Sequence, residues 1–435
     1  MDPSLTGAWR PTAALVRCLV MASMTLLAAL ALGRPGLLVL AAPFALAGAL
    51  AITHAPRALP RIGVRVAHRW LHEGQSTRLE VTVDCEDDLD QVTTTLSPPA
   101  YVASQPASGA CSTTPGDDGT ARAELAVSPR RWGRRSTGSV AAAATSPWGG
   151  YRWGPQRGPE ATVVALPAVH PFHSGETPHP VGLIGQNRSR RGGHGSEFFA
   201  IRPFQPGDPL RRVNWRTTLR TGELHAVGTS AQEDSSVLIL VDAVTDVGAS
   251  GGVDGAASTL DVTVRAACAL ARHHIGVGDR VGLRVLGRTG QVLGPGSGVR
   301  HERRFQELLA QVQPGWPEAL STRRLRLRIG AGSVVVVLTP LLTPDITTAI
   351  VTLARRGLDV VCIDTLVEGT LPDTARDPRS AGRLAWRLRL VEREIQRTEV
   401  ARRGIPVVPW RGPGSLDEVL RRLARRARLP REVPR

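Results

Sequence analysis

Two long apolar runs stand close together near the N-terminus, and they constrain the fold more than any other feature of the sequence. Residues 12–32 carry a single charge, at Arg17, and residues 36–53 carry none. About 20 consecutive apolar residues are enough for a helix to cross the hydrocarbon core of a bilayer. The two runs are separated only by a Gly-Arg-Pro break at residues 33–35, which favours a turn. Residues 1–56 are therefore predicted to form a transmembrane hairpin of two helices.

The placement of arginines predicts how this hairpin is oriented. Arg10 precedes the first run, Arg17 lies in its first two turns and several arginines follow the second run, whereas the turn holds only Arg34. Because positive charge is retained on the cytoplasmic side of a membrane, we expect a multi-pass cell-membrane protein whose soluble domains are cytoplasmic. A cleaved signal peptide is the alternative, but the first run lacks a small-residue cleavage site and a second run follows it. In the reducing cytoplasm the five cysteines are expected to be free thiols.

Composition excludes several classes of protein. All 54 basic residues are arginine, against 38 acidic residues, so the net charge is +16. A chain without lysine has no P-loop lysine, no Schiff-base lysine and no lysine general base. Aromatic residues make up only 4% of the chain, too few to stack nucleic-acid bases beside a basic groove. We therefore expect neither a Walker-type ATPase nor a nucleic-acid-binding protein.

Residues 57–170 show the pattern of a strand-rich domain. Apolar residues recur at every second position, as at Ile62, Val64 and Val66, in short runs separated by Pro, Gly and Asp clusters. This alternation is typical of strands with one buried face. It predicts a β-sandwich-like middle domain, followed over residues 171–235 by a linker and an arginine-rich segment.

From residue 236 to residue 435, apolar strands alternate with amphipathic helices. This order predicts an α/β domain with a doubly wound parallel sheet covered by helices on both faces. The predicted strands are Val237–Val241, Val281–Val285, Val334–Leu338, Val360–Ile363 and Val407–Val408. The predicted helices are Thr259–His273, Glu302–Val312, Pro344–Arg356, Arg383–Arg403 and Ser415–Arg428. Ligands of such folds bind beyond the carboxyl ends of the strands, where Asp242 and Thr339 are expected.

The arginine-rich segment carries a long ordered motif. Between residues 193 and 224 follow a Glu-Phe pair, an Arg-Pro-aromatic run, a Gly-Asp pair, an Arg-x-x-Asn-Trp run and an Arg-x-Gly-x-Leu run. The characteristic residues of this motif are Glu197, Arg202, Gly207, Asp208, Arg211, Asn214, Trp215 and Arg220. Their order resembles the signature of the family called domain of unknown function 58, or DUF58. An Arg-rich turn at residues 128–134 and a Pro-Trp-Gly run at residues 146–150 resemble the same family.

This resemblance implies an architecture and a function. The C-terminal domain of the family is similar to a von Willebrand factor A domain, and its members look like partners of AAA+ ATPases of the MoxR type. The chain is thus expected to be a membrane-anchored, non-enzymatic adaptor in the assembly or maturation of envelope or membrane complexes. Its expected partners are such an ATPase, other membrane or envelope proteins, and membrane lipid.

Two interpretations of the signature residues remain open. In the first, Glu197, Asp208 and Glu223 neutralise neighbouring arginines in a buried ion-pair network, and a guanidinium stacks on Trp215. In the second, the arginines form a docking surface for acidic groups of another protein. The strongly basic last helix, with five arginines between residues 421 and 428, is likewise compatible with a solvated face, with anionic lipid or with an acidic partner.

A von Willebrand factor A domain implies a Mg²⁺ site, which is degenerate in this sequence. Such domains bind the ion through Asp-x-Ser-x-Ser after the first strand, with a later Thr and a later Asp as further oxygen ligands. Here Asp242 occupies the first position, but Val244 and Asp246 replace the two serines. We therefore expect a metal-free recognition fold without a cofactor. The alternative is Mg²⁺ bound through Asp242, Asp246 and Thr339, in a metal-dependent hydrolase or a metal-dependent adhesion-type binder.

Overall fold

The computed structural model of the protein describes residues 7–168, 192–205, 210, 213–230, 236–316 and 333–412. The chain divides into two units. The first unit comprises Met1–Ala168 with Gly251–Gly255, and the second comprises Val169–Ser250 with Ala256–Arg435.

Two apolar helices belong to the first unit. Helix α1 (Ala13–Ala31) and helix α2 (Leu37–Thr53) pack along each other. Their approach is close at Gly48, where an added Cβ would lie 2.9 Å from Leu19 Cδ2. Among the described helices, α1 is long and apolar enough to cross a membrane by its length and composition, whereas the 17-residue α2 is a shorter apolar helix. The apolar N-terminal helix expected from the sequence is thus present, and it is consistent with membrane anchoring.

The remainder of the first unit is built from strands. These are β1 (Arg10–Pro11), β2 (Arg61–Val66), β3 (Trp70–His72), β4 (Thr77–Asp84), β5 (Gln91–Ser97), β6 (Val102–Gln105), β7 (Ala110–Thr113), β8 (Thr120–Pro129), β9 (Gly133–Ser136), β10 (Ser139–Thr145), β11 (Tyr151–Arg157) and β12 (Thr162–Leu166). They pair in the orders β1-β11-β10-β5-β7, β2-β4-β8-β6 and β3-β12-β9. Leu79 and Val81 of β4 share a buried cluster with Leu96 of β5 and Val140 of β10. The two larger sheets therefore enclose a common core.

The second unit combines an antiparallel strand pair with an α/β sheet. The pair consists of β13 (Gly192–Pro203) and β14 (His225–Ser230), with the short helix α3 (Trp215–Thr221) between them in the sequence. The other elements are β15 (Ser236–Asp242), α4 (Thr259–Gly276), β16 (Arg280–Leu286), β17 (Val292–Gly296), α5 (Val299–Leu309), β18 (Val334–Thr339), α6 (Pro344–Arg355), β19 (Asp359–Asp364), α7 (Ala381–Arg402) and β20 (Val407–Pro409). The sheet order is β17-β16-β15-β18-β19-β20.

Helices cover this sheet and fix its strands. Ile350 and Leu353 of α6 share a buried cluster with Val337 of β18 and Val360 of β19, while α4 packs on β15, β16 and β18. Strands that are covered in this way need apolar side chains on both faces, which explains the Val- and Leu-rich interiors of β15 and β18. Mixed α/β architecture with several sheets is thus confirmed, and none of the five cysteines, all of which lie in the described residues, forms a disulfide bond.

The predicted elements of the α/β sheet agree with the structure, apart from one edge. The five predicted strands correspond to β15, β16, β18, β19 and β20, and four predicted helices correspond to α4, α5, α6 and α7. The fifth predicted helix, Ser415–Arg428, lies outside the described residues. The five predicted strands are parallel to one another, as expected, but the prediction did not include the sixth strand, β17, which pairs antiparallel with β16. The Val-Leu-Gly-Pro-Gly sequence of β17 resembles a loop, and Pro295 is accommodated because an edge strand does not need every N–H.

Candidate functional site

The carboxyl ends of three neighbouring strands bring polar side chains to one edge of the sheet. Strand β15 lies between β16 and β18. The next strand in the sequence, β16, is thus added on one side of β15, and the later strand β18 is added on the other side. A crevice for ligands commonly forms at such a switch point. Asp242 ends β15, Thr339 ends β18 and Asp364 ends β19. Thr339 and Asp364 are also register partners in the parallel ladder.

Asp242 and Thr339 form a buried pair at this edge. The Thr339 hydroxyl donates a hydrogen bond to Asp242 Oδ2 at 2.7 Å, and the Val244 N–H donates to Asp242 Oδ1 at 3.0 Å. Burial raises the pKa of the Asp242 carboxyl to about 6, although both hydrogen bonds act in the opposite direction. The carboxyl group therefore lies in an environment that disfavours its charge.

The turn after β18 is held by the same threonine. The Leu341 N–H donates to Thr339 Oγ1 at 2.9 Å, so Thr339 accepts one hydrogen bond while it donates another. Leu341 has a φ of 55°, a left-handed conformation that costs a residue with a side chain about 1–2 kcal/mol. Its side chain is buried in the main cluster of the unit. Packing of this side chain and the bond to Thr339 together maintain the strained turn.

A second pair closes the edge beside β19. Arg393 of α7 donates through Nη2 to Asp364 Oδ2 and through Nε to the Pro340 carbonyl, the latter at 2.8 Å. The Leu366 N–H donates to Asp364 Oδ1 at 3.1 Å. Arg393 thus links α7 to the ends of β18 and β19, and the Asp364 carboxylate is balanced by a guanidinium within the same unit.

The described residues do not fit a Mg²⁺ site. Both Asp242 oxygens already accept protein hydrogen bonds, and Asp246 Oδ1 accepts the Leu260 N–H at 3.1 Å near the start of α4. Val244 offers only its backbone where the metal-binding motif has a serine hydroxyl. Over the part of the chain that the structure describes, no group of three His, Cys, Asp or Glu residues could hold a metal ion. The structure thus brings Asp242 and Thr339 together, but it does not assemble a third acidic ligand with them.

A cavity of about 390 Å³ lies beside Arg393, between α7 and the loop after β19. Its charged lining is mainly basic, with Arg383, Arg387 and Arg393 against Glu368. Apolar side chains complete the wall, including Trp386 and Leu390 of α7. Such a lining suits a group that is apolar along its length and negatively charged at one end.

Part of the motif in the arginine-rich segment forms the short helix α3. Its N-cap is Asn214, whose Oδ1 accepts the Thr217 N–H at 3.1 Å. It ends at Gly222, which has a φ of 77° and donates its N–H to the Thr218 carbonyl, a left-handed cap that glycine adopts without steric cost. The Asn214 N–H also donates to the His225 carbonyl at 2.8 Å, which attaches the start of α3 to β14. Asn214 and Gly222 of the motif thus have structural roles.

The outer face of α3 is exposed. Trp215 is 62% exposed and Leu219, one turn later, is 84% exposed; residues four apart lie on the same helix face. Arg216 and Arg220 on the same short helix are exposed as well. A buried network does not describe Trp215 or Arg220, because both side chains face solvent.

The other signature residues can be located only in part. Glu197 and Arg202 lie on β13, but their side chains are outside the described part of the structure. Gly207, Asp208 and Arg211 lie outside the described residues altogether. The proposed neutralisation of arginines by Glu197 and Asp208 therefore stays a prediction.

The Asp364–Arg393 pair was not predicted from the sequence, although the sequence contained a signal for Asp364. Ile363-Asp364 repeats the pattern of Val241-Asp242, an acidic residue directly after a buried strand, and parallel strands place such residues at one edge. Arg393 had no comparable signal. Helix α7 contains many arginines, and nothing in its sequence distinguishes Arg393 from the others.

Comparison with known families supports the sequence motif. Residues 200–380 match the family model described as "Protein of unknown function DUF58". The match contains α3, Asp242, Thr339 and Asp364. No curated protein matches the sequence.

Proposed function

Since its residues 200–380 make the chain a member of the DUF58 family, whose description leaves activity open, we propose that it is a membrane-anchored, non-enzymatic adaptor. In this proposal the outer face of α3 binds another protein. The single observation that carries the proposal is the exposure of Trp215 and Leu219 beside Arg216 and Arg220 on one short helix.

The chemistry of this face suits protein recognition. Tryptophan and arginine are enriched among the residues that dominate the binding energy of interfaces. An exposed indole beside an exposed Leu provides apolar area, and the two arginines can form bidentate hydrogen bonds with carboxylates. The complementary partner surface is therefore apolar at its centre and acidic at its rim. This charge pattern also agrees with the net charge of +16.

The edge of the sheet supports binding over turnover. Asp242, Thr339, Asp364 and Arg393 are joined to one another or to backbone groups in two local networks. A general base or nucleophile must reach a substrate atom, whereas Asp242 is buried and hydrogen-bonded through both oxygens. In the proposed function these networks maintain the fold that presents α3.

By resemblance, the proposed partner is an AAA+ ATPase of the MoxR type, and the process is the assembly or maturation of envelope or membrane complexes. Other membrane or envelope proteins and anionic lipid are the further proposed partners. The sheet order β17-β16-β15-β18-β19-β20 supports a von Willebrand factor A-like fold for the second unit. The proposed topology has two membrane spans, α1 and α2, with the soluble domains in the cytoplasm, the side that the arginines before the first apolar run and after the second favour.

Co-purification tests this proposal. The full chain in detergent is purified with a co-expressed MoxR-type ATPase from the same genome, and the ratio of the two proteins is measured for wild type, Trp215→Ala and Leu219→Ser. Loss of an interface anchor of this kind costs roughly 2 kcal/mol of binding free energy, which corresponds to about thirtyfold weaker binding. The matched control is Trp316→Ala, because Trp316 belongs to the same unit and is 58% exposed. Equal recovery of the ATPase with all four proteins would contradict the proposal.

The metal-dependent alternative makes a different prediction. A hydrolase or adhesion-type binder that uses Asp242, Asp246 and Thr339 requires stoichiometric binding of Mg²⁺ or Mn²⁺, which calorimetry of the full chain in detergent measures directly. Binding that Asp242→Asn abolishes would favour this alternative. The adaptor proposal expects no saturable heat from either ion.

A further inference from the structure

Helix α7 carries an exposed apolar stripe on its outer face. Leu384, Leu388, Val391 and Ile395 are each between 59% and 65% exposed. We call these four residues the α7 seam. Their spacing of four, three and four residues is that of the a and d positions of a coiled coil. Four large aliphatic side chains in one line are more than the scattered apolar residues of an ordinary surface.

The opposite face of α7 is the one that packs on its own unit. Trp386 and Val400 are buried, and Arg393, midway between them, is paired with Asp364. These three residues are seven apart, so they lie on one side of the helix, about half a turn away from the seam. The inner side of α7 is therefore occupied within the unit, and the seam is directed outward.

We propose that the α7 seam binds the α7 seam of a second copy of this chain, with the two helices antiparallel. The seam is symmetric about its own midpoint, between residues 389 and 390. In an antiparallel pair, Leu384 packs against Ile395 of the second copy, and Leu388 packs against Val391 of the second copy. Each of these contacts occurs twice around a two-fold axis, as an isologous interface requires.

The charges that flank the seam favour the antiparallel arrangement. In heptad terms, Arg387 and Glu394 occupy g positions, which face each other in antiparallel pairs. Arg387 of each copy then meets Glu394 of the other, and Ala385 meets Glu392 without repulsion. All four of these side chains are exposed. In a parallel pair Arg387 would meet Glu392, but Glu394 would meet Glu399, and attraction and repulsion would cancel.

The proposed antiparallel pairing extends to both ends of the helix. Ala381 near the start of α7 lies opposite Thr398 of the second copy, so small residues close the interface at both ends. The paired stretch from 381 to 398 is about 26 Å long at 1.5 Å per residue. The surface that two helices bury over this length is near or below the roughly 1,200 Å² of total area that small specific interfaces bury. The dimer should therefore be weak in solution and depend on protein concentration.

Mass measurement of the full chain in detergent tests the proposal. Sedimentation velocity over a concentration series is expected to show a monomer–dimer equilibrium for wild type. Leu388→Glu places two carboxylates in the centre of the interface, and it is expected to raise the dissociation constant at least about tenfold. Val299→Glu is the matched control, because Val299 is an exposed aliphatic residue on α5 in the same unit, 82% exposed. It is expected to leave the equilibrium unchanged.

Charge reversal tests the orientation. Arg387→Glu and Glu394→Arg are each expected to weaken the dimer about threefold to tenfold, and the double variant that carries both changes is expected to restore it. Rescue of Arg387→Glu by Glu392→Arg, with no rescue by Glu394→Arg, would indicate a parallel pair and overturn the proposal. A monomeric wild type at every concentration, or a dimer that Leu388→Glu leaves intact, would overturn it as well. Loss of the ATPase partner by Leu388→Glu, together with a wild type that is monomeric at every concentration, would assign the seam to that partner instead.

Discussion

Thr339 donates its hydroxyl hydrogen bond to the buried carboxylate of Asp242 at 2.7 Å, and it thereby joins the ends of two neighbouring strands. The same hydroxyl oxygen accepts the Leu341 N–H at 2.9 Å. One side chain therefore satisfies a buried acid and maintains a left-handed turn. The switch point of the sheet, where α/β proteins commonly bind ligands, is in this protein a hydrogen-bonded structural junction.

Removal of the Thr339 hydroxyl should destabilise the second unit. Thr339→Val keeps the shape of the side chain but leaves Asp242 Oδ2 and the Leu341 N–H without their partner. A buried polar group left unsatisfied costs about 1–3 kcal/mol, and urea unfolding measures the loss. The control is Thr348→Val on α6, where an exposed hydroxyl donates to the Pro344 carbonyl; it should change stability by less than about 0.5 kcal/mol. Equal stability of the two variants would contradict the assigned role of Thr339.

Stability should depend on pH through Asp242. Its pKa is about 6 in the folded chain, against an ordinary value of 3.8. The folded state therefore binds this proton more tightly, so its stabilising contribution is complete below pH 3.8 and is lost as pH rises through about 6. A shift of this size corresponds to about 3 kcal/mol.

Comparison with Asp242→Asn isolates this contribution from those of other carboxyl groups. The variant cannot ionise at this position, so the stability of wild type relative to Asp242→Asn should fall by about 2 kcal/mol between pH 4 and pH 7, most of the full contribution. Urea unfolding at a series of pH values provides the measurement. A difference that stays constant with pH would show that Asp242 titrates normally.

Arg393 should contribute more to the stability of the second unit than the neighbouring arginines of α7. Arg393→Met leaves the Asp364 carboxylate without a cation and the Pro340 carbonyl without a donor, and breaking a buried ion pair in this way costs about 3–5 kcal/mol. Arg397→Met is the matched control, because the pair that Arg397 forms with Glu394 is exposed. Its loss should cost less than about 1 kcal/mol. Adding Asp364→Asn to Arg393→Met should recover part of the lost stability in thermal or urea unfolding.

The N-cap of α3 gives a local prediction. Asn214→Ala removes the acceptor of the Thr217 N–H and should weaken α3 by about 1 kcal/mol, whereas Asn214→Asp retains a side-chain acceptor. Hydrogen exchange of the Thr217 and Thr218 amides should become several-fold faster in Asn214→Ala alone. Equal exchange in the two variants would mean that contacts with β14 hold α3 without the cap.

The sequence was most informative where burial imposes a repeating pattern. Strand Ser236–Asp242 was predicted to within one residue at each end, because a parallel strand that is covered on both faces must be uncharged and apolar. The proximity of Asp242 and Thr339 followed from the same logic, since the carboxyl ends of parallel strands meet at one edge. These conclusions depend on backbone geometry, which short-range patterns encode.

Features that depend on long-range side-chain choice were not predicted. Arg393 and Asp364 are separated by 29 residues, and no local pattern selects this arginine from the others on α7. The antiparallel edge strand β17 was missed because its glycines and proline are typical of loops. The exposure of Trp215 was equally hidden, because a large apolar residue in a sequence gives no sign of whether it is buried or binds a partner.

Site-specific photo-crosslinking tests the central claim, that the outer face of α3 binds the ATPase, most directly. A benzophenone amino acid replaces Leu219 in the full chain in membranes, and a second variant carries it at the similarly exposed Val299 of α5. On irradiation, we expect an adduct with the mass of one chain plus one MoxR-type ATPase subunit from position 219 and none from position 299. Absence of this adduct at 219, or equal yields at both positions, would contradict the claim.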